Sequence, residues 1–117
     1  MISLPPTVKI FLAIEPADMR KGFDGLKALV EEQLGSDPLS GHLFVFRSRR
    51  GDRLKILVWD RDGLAVWYKR LEQGRFSWPN VRDDQRQIEL LPAELAMLLE
   101  GIELSNIKRQ PRYSRCD

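Results

Sequence analysis

This chain of 117 residues has almost no cysteine or histidine: Cys116 is its one thiol and His42 its one imidazole. A single cysteine excludes an internal disulfide, and a zinc site would have to take most of its ligands from carboxylates. A Cys–His nucleophile pair would have to recruit the chain's last residues, so neither a metal nor a thiol centre is expected. Long apolar runs are also missing. Stretches such as Ile56–Trp59 fall far short of the roughly 20 residues needed to cross a bilayer. Met1 to Pro6 shows no basic segment, apolar stretch or small-residue cleavage site, so no secretory signal is expected and the cytoplasm is the expected compartment. The chain has no Gly-rich phosphate loop, no Ser-centred nucleophile elbow and no His-x-Glu metal pattern. No cofactor and no enzymatic activity are expected.

Against these absences stand 43% hydrophobic and 31% charged residues, enough for one compact domain with a real core. The net charge of +2 conceals a segregation. Residues 1–46 sum to −2, 47–75 to +5, 76–104 to −4 and 105–117 to +3. Such asymmetry points to a polyanionic partner, with ordinary solvated surface charge as the competing reading.

Val8 to Ile14 is an apolar, β-branched and aromatic run between Pro5-Pro6 and Glu15-Pro16, which predicts a buried strand. An amphipathic helix follows, with Phe23, Leu26, Leu29, Val30 and Leu34 at helical spacing and Gly35 and Pro38 as the stop. Its start is open between a cap at Asp18 and a cap at Gly22, the latter leaving Met19 to Lys21 in a loop. Three strand-like runs come next, 43–47, 53–60 and 64–71, separated by short Asp- and Gly-bearing turns, so an antiparallel meander is expected. If Arg61-Asp62-Gly63 is a three-residue loop with Gly63 left-handed, Trp59 faces Ala65, and Lys55, Leu57, Trp59, Trp67 and Lys69 share one face. Residues 75–79 offer a further short strand or an extended segment, and residues 86–90 could be another strand. Pro92 opens a short second helix that ends at Gly101. The predicted fold is α+β: a single domain over residues 1–104, an antiparallel sheet of four to five strands with one long and one short helix. Residues 105–117 are expected to form a flexible basic tail.

Several residues carry candidate chemistry. Arg47, Arg49, Arg50, Arg53 and Lys55 cluster around one hairpin turn, as phosphate-contacting residues do, although arginines there also keep a sheet edge soluble. Arg20 and Lys21 sit where positive charge opposes a helix dipole, and Gly22 and Gly25 beside them suggest close approach of a backbone or a ligand phosphate. Trp59 and Trp67 could stack on bases, fill the core or meet a protein partner. Asp60 and Asp62 are the one carboxylate pair suited to metal-dependent nuclease chemistry, but their place beside Gly63 is ordinary turn composition.

The run Asp18-Met19-Arg20-Lys21-Gly22-Phe23-Asp24-Gly25-Leu26 belongs to a longer pattern. Gly41 to Arg47, Gly51 to Leu57, Trp59 to Gly63, Lys69 to Phe76 and Trp78-Pro79 follow it in order. Over residues 8 to 104 this pattern closely resembles the TnpB-type accessory proteins of the insertion-sequence-sixty-six transposons, which share a label with RNA-guided nucleases but are unrelated to them. The resemblance implies a short, non-catalytic protein encoded beside a transposase and assisting it, with that transposase as partner; transposon DNA is a partner expected from the cationic hairpin alone, and the alternative is an interaction subunit of the transposition complex with no direct DNA contact. It carries over no catalytic residue. One departure is Leu91, where the pattern often has Thr before the proline of the second helix; leucine cannot cap, which weakens that helix start by roughly 1 kcal/mol.

Overall fold

The computed structural model of the chain describes residues 7–79 and 84–101. Its elements run β1 (Ile10–Ala13), α1 (Phe23–Glu32), β2 (Leu43–Arg47), β3 (Arg53–Asp60), β4 (Gly63–Arg70), β5 (Gln87–Leu90) and α2 (Pro92–Leu99). The five strands form one sheet in the order β4-β3-β2-β1-β5. The class is α+β, as expected, and the sheet is antiparallel except at one place. β1 and β2 run parallel, with Ile10 opposite Leu43 and Leu12 opposite Val45. Parallel neighbours need a long crossover, and the α1 segment supplies it; an apolar run announces a strand without announcing its direction.

Alternation along the strands sorts the core into two halves. Ala13, Phe44, Phe46 and Leu57 project onto one face, where Leu26, Val30 and Leu34 of α1 and its C-terminal turn cover them. Ile10, Leu12, Leu43, Val45, Leu54 and Ile56 project onto the other, against Leu95 and Leu98 of α2 and the buried Phe76. The sheet is therefore covered on both sides, which explains why β2 is apolar at four consecutive positions rather than alternating.

Both helix starts lack a side-chain cap. Gly22 is the N-cap of α1 and offers no acceptor, so of the two starts open in the sequence the later is formed. At its other end Gly35, at φ +64, turns the chain back so that the Ser36 N–H reaches the Val30 carbonyl at 3.0 Å, which satisfies one of the helix's last carbonyls. Leu91 caps α2 without an acceptor, but its N–H donates to the Glu94 carboxylate at 2.8 Å. That is the half of a capping box that needs no hydroxyl, and it offsets part of the weakness noted above.

The β3–β4 hairpin corrects the sequence-based register. Asp60 pairs with Gly63 and Trp59 with Leu64, so the loop has two residues, Arg61 and Asp62. Arg61 takes the left-handed conformation at φ 62, the place expected for Gly63. The one-residue shift sends every β4 side chain to the other face. Leu57, Leu64 and Val66 lie on the α1 side, whereas Ile56 and Trp67 lie on the α2 side; Trp59 and Trp67 do not share a face. Residues 71–79 form no strand, and Phe76 and Trp78 instead plug the α2 face. The basic segment 105–117 lies outside the described residues.

Gly25 has a tighter reason for being glycine than ligand access. A Cβ there would sit 2.9 Å from Lys21 Cβ and 3.0 Å from Lys21 Cγ, and the first of these is fixed to its own backbone and cannot swing away. Gly25→Ala should therefore fail to deliver the roughly 1 kcal/mol of helix propensity that alanine normally brings. A thermal midpoint at or below that of the wild type is expected, and a clear rise would contradict the contact.

Candidate nucleic-acid interface

One end of the sheet gathers three loops: 14–22 after β1, 48–52 between β2 and β3, and 71–76 after β4. The middle loop is built around Ser48. Its buried hydroxyl accepts the N–H groups of Gly51 and Arg53, each at 3.1 Å, and donates to Asp52 Oδ1 at 3.2 Å. Gly51, at φ +83, permits the tight reversal. The turn is fixed from inside, and Arg49 and Arg50 stand exposed on its outer side.

The flanking loops are fastened to this turn. Leu71 N–H donates to the Asp52 carbonyl and Phe76 N–H to the Gly51 carbonyl, both at 2.8 Å. Arg75 packs its Cβ 3.5 Å from where a Gly51 side chain would begin, and its charged end is exposed. On the opposite flank the Ala17 N–H donates to the Arg47 carbonyl at 2.9 Å. Between residues 16–20 and 48–53 runs an open groove of about 410 Å³, bordered by Arg20, Arg49, Arg50 and Arg53 with Asp18 and Asp52.

The candidate cations separate into two groups. Arg49, Arg50 and Arg20 face solvent, and Arg53 is half-buried with NH1 donating to the Tyr68 hydroxyl at 3.3 Å. Arg20 is 91% exposed yet engaged, since its guanidinium grips Asp18 with Nε at 3.1 Å from both oxygens and NH2 at 2.7 Å from Oδ2. These bonds, together with the Arg20 backbone N–H, hold the Asp18 carboxyl well below the usual carboxylate range. A depressed folded-state pKa means that the clamp acts fully at and above ordinary carboxylate pKa values, and is lost only as pH falls far below them.

Lys55, Arg47 and Lys21 are placed differently. Lys55 is 8% exposed, and its ammonium donates to the carbonyls of Met19 and Lys21, each at 2.8 Å, over the face of Tyr68 at 4.6 Å. It lies on the α1 side of β3, beneath the loop it holds, and does not reach the exposed tip. Arg47 lies on the other side of the sheet, stacked on Trp78 at 5.2 Å with NH2 donating to the Ile14 carbonyl at 3.3 Å. Burial pushes its pKa down from the ordinary value. Lys21 is half-buried, its stem against Gly25. Arg75 is the exposed cation that the hairpin reading misses, because residues 75–79 read as a short strand or extended segment; its signal is the +5 charge of residues 47–75.

Of the two tryptophans, Trp67 packs against the α2-side core, while Trp59 is half-buried and belongs to neither core cluster. Asp60 and Asp62 are exposed at the opposite end of the hairpin, roughly 25 Å of strand away from the arginine tip. No group of three or more His, Cys, Asp or Glu suited to a metal occurs among the described residues. No helix among them is long and apolar enough to cross a membrane.

A small two-sided sheet domain with an arginine-rich end is the class these features define. Residues 8–109 match the profile of the IS66 Orf2-like protein family, and the chain belongs to that family, which is associated with transposition. The uncharacterized protein y4jC of Sinorhizobium fredii is 39% identical over 111 residues, covering 95% of this chain and 93% of its own. A second uncharacterized protein of that organism, y4hO, is 41% identical over 103 residues, 88% of each chain. No solved structure matches.

The tether role of Lys55 is directly testable. Lys55→Met keeps the length and apolar stem but leaves the Met19 and Lys21 carbonyls without their donor, and an unsatisfied buried acceptor costs about 1–3 kcal/mol. Urea denaturation should show a loss of that order, together with faster amide exchange across residues 16–22. An unchanged stability would remove Lys55 from this role.

Proposed function

We propose that this protein is a non-catalytic accessory factor of IS66-type transposition, acting in the bacterial cytoplasm, that engages transposon DNA through its arginine tip and assists the transposase of the same element. The observation that carries the reading is the Ser48-centred turn, which presents Arg49 and Arg50 to solvent with Arg53, Arg75 and the Asp18-clamped Arg20 around them. Guanidinium groups suit phosphate oxygens through paired donors. Holding them on a pre-ordered turn reduces the conformational entropy lost on binding.

Each phosphate contact lowers the log–log salt slope of duplex binding by about 0.9. Combined Arg49→Ala, Arg50→Ala and Arg75→Ala should flatten that slope by up to about three contacts' worth and weaken binding at low salt. Truncation after Ser105 should cost less, and the thermal midpoint should change little because these side chains are exposed. A mobility-shift titration with transposon-end and scrambled duplexes at several salt concentrations reads all of this. Equal binding by the wild type and the folded triple variant would refute the assignment.

A second reading, in which the chain acts as an interaction subunit without touching DNA, is favoured by one residue. Trp59 is half-buried outside both core clusters, and large aromatics dominate protein interfaces. Trp59→Ala in a tagged copy should lose co-expressed transposase while leaving any DNA shift intact. Full retention of the transposase would count against Trp59 as the contact.

A further inference from the structure

β4 ends the sheet, and all eight of its residues pair with β3 in unbroken register, with no bulge and no proline. Among the described residues nothing pairs with its outer side. Such a long, regular edge is a template for another strand.

Hairpin geometry fixes which groups it offers. With a two-residue loop, Asp60 and Gly63 form a hydrogen-bonded pair, so Gly63, Ala65, Trp67 and Lys69 direct their N–H and C=O groups inward to β3. The next odd-numbered amide, Leu71, also points inward, donating to the Asp52 carbonyl. The outward groups are therefore those of Leu64, Val66, Tyr68 and Arg70.

We propose that β4 pairs antiparallel with β4 of a second copy of this chain, centred on Val66, to make one continuous ten-stranded sheet. The strand's own residues select this occupant. About that centre Val66 meets Val66, Leu64 meets Tyr68 and Ala65 meets Trp67, while Asp62, in the turn just before Gly63, comes beside Arg70. Apolar lies on apolar, the smallest side chain lies opposite the largest, and opposite charges meet at both ends. Moving the centre by one residue sets Leu64 against Arg70 and Trp67 against Trp67. Parallel pairing would stack Lys69 and Arg70 on their own kind. Tyr68, 48% exposed, gains cover from Leu64 of the other copy. The twofold axis places the two arginine tips at opposite ends of the combined sheet, so a dimer would present two separated cationic surfaces.

Sedimentation equilibrium of the full chain across micromolar concentrations should give a monomer–dimer equilibrium. Residue-resolved amide exchange should show protection at Leu64, Val66 and Tyr68 that rises with concentration, while Ala65, Trp67 and Lys69 stay protected throughout. Asp62→Lys and Arg70→Glu should each weaken dimerisation about tenfold or more, because each creates like-charge contacts at both ends. The double variant should recover most of that loss. Within one chain the two positions are roughly 25 Å apart, so the recovery can come only from contact between copies. A monomer with unprotected even-numbered amides overturns the proposal. So does concentration-independent protection of those amides in a monomer, which would mean that residues 102–117 of the same chain cover the edge. A dimer that leaves them unprotected, or fails to recover in the double variant, overturns it as well.

Discussion

Removing an ammonium group from water is costly unless its donors are matched, and the arginine-rich end of this molecule is arranged around one such group. Lys55 reaches from the α1 face of β3 to the carbonyls of Met19 and Lys21, 36 and 34 residues earlier in the chain. Charge-assisted hydrogen bonds and the ring of Tyr68 offset its desolvation. The bonds settle where the loop before α1 lies, and with it the position of Gly22 as the helix start. The same loop carries the Asp18–Arg20 clamp and forms one wall of the groove whose other wall is the arginine turn. Without the tether the loop would be held beside the turn only at its start, by the Ala17 N–H on the Arg47 carbonyl and by Arg47 on the Ile14 carbonyl.

Residue type alone does not decide which cations serve structure and which face solvent. Arg47 and Lys55 flank the same turn as Arg49, Arg50 and Arg53, and in the sequence all five form one cluster. Strand parity separates them. Arg47 follows Leu43 and Val45 onto the α2 face and stacks on Trp78, whereas Lys55 precedes Leu57 on the α1 face. Arg49 and Arg50 escape this sorting because they lie in the turn, where neither face of the sheet claims them. The two flanking cations both fasten the 14–22 loop beside the turn, Arg47 at the Ile14 carbonyl and Lys55 at those of Met19 and Lys21.

The same parity explains what the sequence could and could not reveal. Strand limits at Leu43–Arg47 and Arg53–Asp60 follow from apolar runs bounded by Asp and Gly. The α1 stripe and the Gly35 stop are equally plain. The register of β4 was beyond reach because it turns on whether Arg61 or Gly63 takes the left-handed conformation. Composition favours glycine there; the chain adopts φ 62 at Arg61. That one residue moves Trp67 into the α2-side core and separates it from Trp59. The parallel β1–β2 pair was also illegible, since direction is settled by where the crossover packs and not by either strand's own residues. Arg75 went unseen as a tip residue for a related reason: it reaches the turn only because residues 71–76 fold back onto Gly51 and Asp52.

A five-stranded sheet with helices on both faces has little surface left for recognition. Its faces are occupied by α1 and by α2 with the 76–78 segment, so contacts must be made at an end or at an edge. The two differ physically. The loop end carries cations fixed by a hydrogen-bonded turn and suits a polyanion, whose contacts are electrostatic and sensitive to salt. The β4 edge carries alternating outward backbone groups beside Val66, Tyr68 and Trp67, and suits another strand, whose main-chain contacts are directional. Because the outward amides of β4 are not those that hold it to β3, the edge can be engaged or released without disturbing the hairpin. Arg53 and Tyr68, joined by a 3.3 Å hydrogen bond, stand where the two surfaces meet. A strand added at the edge would cover Tyr68 and fix the hydroxyl that holds Arg53, so occupation of the edge bears directly on the geometry of the groove.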